Sequence, residues 1–237
     1  MGAGVQIIVT HLTRMEYGHI CVAGIEPRTG RHIRPQTDDR LSVRRLLRHG
    51  GPFDLGCLVD LGTTTAIGSA PYLEDQSFNA RNARCLKTLE PSEYWSLLER
   101  VTRPNLIAIF GEALQRRNRT YTVDMGCGNA SLGCLRSPDI RFEQDRANAK
   151  LRLAFSDAAG PVSLALTDLR FYQSDHRTPR WEAVERVDKR LRSGVPALIC
   201  VGLTKPWKML GDTASRHWLQ ANNIHLGDEP VWQECSL

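Results

Sequence analysis

Apolar residues along this chain fall in short runs, separated by glycine, proline and charged residues, and few of the runs carry a helical period. Residues 6–13, QIIVTHLT, are rich in β-branched side chains, and HICVAGIE at 19–26 repeats the pattern after a polar break. PRTG at 27–30 has turn chemistry and leads into RHIRP at 31–35, which predicts a hairpin entering a meander. Further strands are predicted within LGCLVDLGTTTAIGSA (55–70), NARCLKTLE (82–90), RTYTVDMG (119–126), IRFEQD (140–145), KLRLAF (150–155) and PVSLALTDLRFY (161–172). LIAIFGEAL (106–114) reads as a strand and a turn, VPALICVGLTKPW (195–207) as a buried strand with a basic exit, and Ile224 to Leu226 as a last strand before a turn.

Three segments have helical spacing. DDRLSVRRLLRHG (38–50) sets Leu41, Leu46 and Leu47 among arginines and ends at Gly50 and Gly51, predicting a short amphipathic helix. In PSEYWSLLERVTRP (91–104), Ser92 is the expected N-cap after Pro91. Tyr94, Trp95, Leu97, Leu98 and Val101 form the apolar face, and Pro104 stops the helix. RWEAVERVDKRLRSG (180–194) places Trp181, Val184, Val187 and Leu191 on one face before Gly194. Many short strands with one strong helix in each half predict a mainly β protein with a few helices (α+β), built as two OB-like small β-barrels in tandem. The expected units are residues 1–104 and 105–237, with the boundary open over 104–148. HICVAG at 19–24 and LICVGL at 198–203 echo one another, as two related barrels would.

Composition narrows the class. Of 237 residues, 41% are hydrophobic and 24% charged, an ordinary soluble balance, and no run approaches a membrane span. The opening MGAGVQIIVTHLTRM lacks the pattern of a secretion signal or a myristoylation site, so a cytoplasmic location is expected. The seven cysteines are Cys21, Cys57, Cys85, Cys127, Cys134, Cys200 and Cys235. Their odd number and wide spacing argue against a disulfide framework. No CxxC pair is present, so no metal and no cofactor are expected. The net charge is +5, and 26 of the 31 cations are Arg, which suits bidentate contacts to phosphates and bases.

IIVTHLTRM, HICVAGIE, GRHIRP, VGLTKPW and NNIHL, spread over residues 7 to 226, together resemble the dual OB-containing domain family of prokaryotes. The resemblance implies two OB-type barrels and a nucleic-acid-binding or sensing role, in a defence or mobile-element setting. The stretch 104–148 has the look of an insertion.

The candidate contacts are spread over both halves. In GRHIRP, strand alternation puts His32 and Arg34 on one face and Arg31 on the other, with Arg14 expected near through the adjoining strand. In GLTKPW, Pro206 stiffens a loop, Trp207 offers a stacking surface, and Lys205 and Lys208 offer charge for phosphate. In HWLQANNIHL, His217, Asn222, Asn223 and His225 carry donors and acceptors for base edges, although adjacent asparagines favour a turn. The expected ligand is nucleic acid, DNA or RNA and preferably single-stranded, with a protein partner possible and no membrane. No catalytic residue is assigned. A metal-dependent nuclease would draw on Asp38 and Asp39, and a thiol nucleophile would pair Cys21 with His11 or His32, but no spacing makes either set converge. Phosphate-loop motifs are absent, and MGCGNASLG (125–133) reads as an ordinary loop. A protein-interaction scaffold is the remaining alternative.

Overall fold

The β-branched run at the start becomes a nine-residue strand, β1 (Gln6–Arg14), and the chain returns along it as β2 (Ile20–Ile25). This computed structural model describes residues 4–144 and 150–233; Cys235 and the end of the IRFEQD run at Asp145 lie outside them. The first sheet is completed by β3 (His32–Gln36), β4 (Cys57–Asp60), β5 (Thr64–Ala66), β6 (Asp75–Phe78) and β7 (Arg84–Thr88), in the order β5-β6-β3-β2-β1-β4-β7. After helix α1 (Pro91–Val101) come β8 (Thr102–Arg103), α2 (Leu106–Phe110), β9 (Leu114–Arg117), β10 (Thr120–Asp124) and β11 (Leu132–Arg136). Then follow β12 (Arg141–Gln144), β13 (Leu151–Asp157), β14 (Gly160–Ala165), α3 (Trp181–Arg192), β15 (Ala197–Leu203) and β16 (Arg216–Leu226). The second sheet runs β8-β11-β15-β16-β10-β9, and β12-β13-β14 form a third, small sheet. Within the stretch 104–148, β10 and β11 flank the central hairpin of the second sheet.

Both central hairpins carry a β-bulge. In β1 the register passes from Val9 opposite Gly24 to His11 opposite Ala23, leaving Thr10 extra. In β16 it passes from Asn223 opposite Cys200 to Ala221 opposite Val201, leaving Asn222 extra. Bulges bend a strand and raise its twist, which curls each sheet toward a half-barrel. Strand β1 is buried on both faces. Ile7, Val9 and Leu12 join the core of the first sheet, while Ile8 packs with Ile25, Leu97, Leu98, Cys134 and Leu198. That last cluster is the seam between the sheets, and α1 lies across it. Burying Leu97 and Leu98 contributes about 1.5–3 kcal/mol each.

Several sequence expectations are corrected. Residues 38–50 form no amphipathic helix, but two single 3-10 turns, Val43–Arg45 and Leu47–His49, with extended Leu46 between them. The chain doubles back so tightly there that a Cβ on Gly51 would overlap the Arg45 carbonyl. Helix α1 starts at Pro91, which has no N–H to leave unpaired, so Glu90 and not Ser92 is its N-cap. LIAIFGEAL forms the short helix α2 rather than a strand, because Leu106 and Phe110, four apart, both bury and Asn105 Oδ1 accepts from Ala108 N at 2.8 Å. In α3, Val184 and Val187 bury, while Trp181 stays 42% exposed. Asn222 and Asn223 form no turn, because β16 runs unbroken through them. No helix among the described residues is long and apolar enough to cross a membrane.

Candidate functional site

A cleft of about 690 Å³ opens at the seam, where the β2–β3 turn of the first sheet faces the end of α1 and strand β11 of the second. Arg28 and Arg31 enter it from the turn, Arg100 from the last turn of α1 and Arg103 from β8, and all four are solvent-exposed. Among the described residues none of the four is ion-paired. Arg100 is positioned by a bond from Nη2 to Pro27 O at 3.3 Å. The carboxylate in the cleft lining, Glu74, is already occupied: it accepts from Ser131 N and Ser131 Oγ, both at 2.8 Å, and from Leu132 N at 3.3 Å. The cleft thus presents guanidinium groups to solvent while its acid ties the first sheet to the second. The 125–133 loop is more than a connection, because Asn129 and Ala130 line the cleft.

His32 forms part of the cleft wall, and behind it lies a buried polar cluster. The rings of His32 and His11 meet edge to face with centroids 5.4 Å apart. The Thr10 bulge brings Thr10 and His11 inward together, and Thr10 Oγ1 bonds His11 Nδ1 at 2.9 Å. Burial, reinforced by neighbouring His32, holds His11 well below the ordinary imidazole range, so it is neutral at pH 7. One donor atom each of His11, His32 and Cys134 lies within 4.8 Å of the other two. Burial pushes the Cys134 thiol up, but hydrogen bonding to Cys200 and the neighbouring His32 imidazole outweigh it and hold Cys134 below the usual thiol range. Cys21, the thiol weighed as a nucleophile, is held up by burial and therefore stays protonated. Asp38 and Asp39 lie in a separate groove beside Arg45 and Arg81, away from either histidine.

The sequence-predicted contacts separate into three groups. Arg31 and His32 meet in the cleft. Trp207 and Lys208 sit together on the exposed loop after β15, where Trp207 is 46% exposed and leans on Trp218 at 5.4 Å between ring centroids. Met209 and Leu210 of the same loop border a second groove of about 450 Å³, lined also by Arg117, Arg119 and Arg152.

The third group is engaged by contacts within the fold, and all of it but exposed Lys205 and half-buried Arg14 is buried. Arg34 is buried, with Nε 2.5 Å from Asp75 Oδ1 and its guanidinium over the Tyr72 ring. Lys205 Nζ lies 3.9 Å from the centroid of that same ring and 3.6 Å from Asp75 Oδ2. Tyr72 Oη bridges Thr204 O at 2.5 Å and His217 Nδ1 at 2.6 Å, and burial holds His217 below its ordinary range. Arg14 sits at the far end of the β1–β2 hairpin from the cleft, over Tyr172, and donates to His176 O at 2.6 Å. Asn222 is the buried bulge residue. Asn223 Oδ1 accepts from Leu12 N at 2.8 Å, and His225 Nε2 meets Thr10 O at 3.1 Å. Arg34, His217, Asn222, Asn223 and His225 are buried and present no free edge to a base, whereas the Lys205 ammonium remains exposed. Arg28, Arg100, Arg103 and the His11–Cys134 pairing escaped the sequence reading. The nearest available signal was the three-residue spacing of Arg100 and Arg103 at a helix end.

Two curled β-sheets sharing a buried seam, with an arginine-lined cleft over that seam, define a tandem OB-type β protein. The dual OB-containing domain model matches residues 6–224, nearly the whole chain, so the protein belongs to that family. No curated protein sequence matches it.

Proposed function

We propose that this chain is a nucleic-acid-binding module that takes single-stranded DNA or RNA in the arginine-lined cleft. The observation that carries the reading is four exposed guanidinium groups, Arg28, Arg31, Arg100 and Arg103, around one cleft whose lining carboxylate is internally bonded. Guanidinium forks suit phosphate oxygens, and a cleft with converging cations tracks a flexible backbone. Trp207 and Lys208 supply a second surface where a base stacks and a phosphate is neutralised. In this reading the two barrels divide near residue 104, and the module serves to sense or recruit nucleic acid, in keeping with a prokaryotic defence role.

The test is saturable binding to labelled single-stranded DNA, single-stranded RNA and duplex DNA across a salt series. On single strands, log K falls with log salt by about 0.7 per phosphate neutralised. An Arg31→Ala/Arg103→Ala variant should therefore flatten the slope by about 1.4. Trp207→Ala should weaken binding by about 1–3 kcal/mol with the slope unchanged, as a stacking contact does. Absence of binding to all three ligands at low salt would refute the proposal and leave the scaffold reading, with exposed Trp207, Met209 and Leu210 as its apolar contact.

A further inference from the structure

The polar cluster behind the cleft wall has features that packing alone does not require. His11 is 1% exposed and Cys134 fully buried, yet Nε2 of His11 and Nε2 of His32 have no hydrogen-bond partner. A buried ring nitrogen without a partner carries a desolvation penalty, and two of them side by side call for a ligand. The cluster combines the donor types that bind borderline-soft ions, two imidazoles and one thiolate.

We propose that His11, His32 and Cys134 form a zinc site, with water completing the tetrahedron at the wall of the cleft. His11 Nδ1 is taken by Thr10 Oγ1, which leaves Nε2 as its ligand atom and supplies the outer-shell bond that fixes a metal-bound imidazole. Cys134 enters from β11 of the second sheet, whereas His11 and His32 come from β1 and β3 of the first. An ion here therefore ties the two sheets together under the seam. Zinc bond lengths of about 2.0–2.3 Å place donors about 3.3–3.8 Å apart. Closing donors that lie within 4.8 Å of one another takes side-chain shifts of about 1 Å. The site needs Cys134 reduced, and Cys200 Sγ stands 2.6 Å from Cys134 Sγ. The inference does not depend on what the cleft binds.

The experiment uses the full chain, purified with its thiols reduced, stripped by chelator and reloaded with Zn²⁺ or Co²⁺. Elemental analysis should give one zinc per chain. The Co²⁺ form should show the visible bands of a tetrahedral ion and a near-ultraviolet thiolate-to-cobalt band. Cys134→Ser should lose the thiolate band, and His32→Asn should weaken binding at least about tenfold. Cys127→Ser, which alters an exposed thiol, should change neither. Folding of each variant is read by circular dichroism. If a ligand variant fails to fold, the wild-type cobalt spectrum still decides the matter, because a spectrum without a thiolate band overturns the proposal. So does reloaded wild type with no stoichiometric metal, or a folded Cys134→Ser variant that keeps both affinity and band.

Discussion

Replacing Asn223 tests whether the two sheets are held together as the structure shows. Asn223 is fully buried, and its side chain occupies the place of a missing strand beside β1. Oδ1 accepts from Leu12 N at 2.8 Å, and Nδ2 donates to Leu12 O at 3.3 Å. Leu12 is itself fully buried, so Asn223→Ala leaves both backbone groups without this partner and out of reach of water. An orphaned buried polar group costs about 1–3 kcal/mol, and the longer of the two bonds counts for less. The pair therefore gives a loss of about 2–5 kcal/mol, a large share of the roughly 5–15 kcal/mol that holds a domain folded. Urea unfolding at pH 7, read as midpoint and slope, measures it. Asn223→Asp adds a sign. Burial raises the new carboxyl above its unfolded value of about 3.9, and the neutral form still donates one bond. Stability is then present below the unfolded value and lost as pH rises through the folded one, so this variant should be weaker at pH 8 than at pH 5. A loss under about 0.5 kcal/mol for Asn223→Ala, against the 1–3 kcal/mol of one orphan, would show that the seam does not rest on this amide.

Three more outcomes follow from buried groups elsewhere. Burial holds His225 at about 3, so between there and the unfolded value of about 6.5 the unfolded chain binds a proton that the folded one does not. Its contribution is present above about pH 6.5 and falls as pH drops, by about 2 kcal/mol at pH 5, and urea midpoints at pH 7 and 5 that coincide would contradict it. Asp168→Ala strands Arg170, which is 1% exposed and bonds both Asp168 oxygens as well as Ile224 O and Trp232 O. The expected cost is about 3–5 kcal/mol in chemical unfolding, and part of it should return in Asp168→Leu/Arg170→Met, where no charge is left alone but Ile224 N still loses its Asp168 partner. Gly24→Ala drives a Cβ into the Ile8 carbonyl across the β1–β2 ladder, and backbone cannot rotate away. A loss of about 1–3 kcal/mol should lower the melting temperature, and an unchanged melt would mean the hairpin is looser than drawn.

Strand existence was legible wherever apolar residues were β-branched and bounded by glycine or proline, as in β1, β2 and β15. Helices α1 and α3 were legible from their spacing. What failed were segments whose form is set by capping or burial rather than by their own hydrophobic spacing. Leu106 to Phe110 reads as a strand until Asn105 is seen capping it. The arginines at 44, 45 and 48 suggest a helix face, but burial of Leu41 and Leu46 five residues apart bends the chain into separate turns. The cleft was half legible. Arg31 and His32 stood out, yet Arg28 looked like turn chemistry, and Arg100 and Arg103 like the solvated end of a helix. Three segments, 28–32, 100–103 and 129–133, make one wall only after the sheets close.

The polar residues that looked most like base readers, Asn222, Asn223 and His225, have a different logic that the sequence does contain. A strand buried on both faces has no room for a polar side chain unless its backbone surroundings need a partner. Strands β1, β15 and β16 are buried on both faces; β15 is apolar throughout, whereas β1 and β16 interrupt their apolar runs with a polar pair, Thr10–His11 in one and Asn222–Asn223 in the other. Each pair coincides with the bulge of its strand. The two strands then meet at the seam, where Asn223 satisfies Leu12, His225 meets Thr10 O, and Tyr94 of α1 donates to Val9 O. A bulge frees backbone groups from the ladder, and across the seam His225 reaches the carbonyl of the Thr10 bulge while Asn223 holds the Leu12 backbone beyond it. A polar pair inside an otherwise apolar strand therefore marks where a half-barrel turns and meets its neighbour. The four arginines of the cleft come instead from the β2–β3 turn, the end of α1 and the short strand β8, while amides and imidazoles on the long strands close the seam itself.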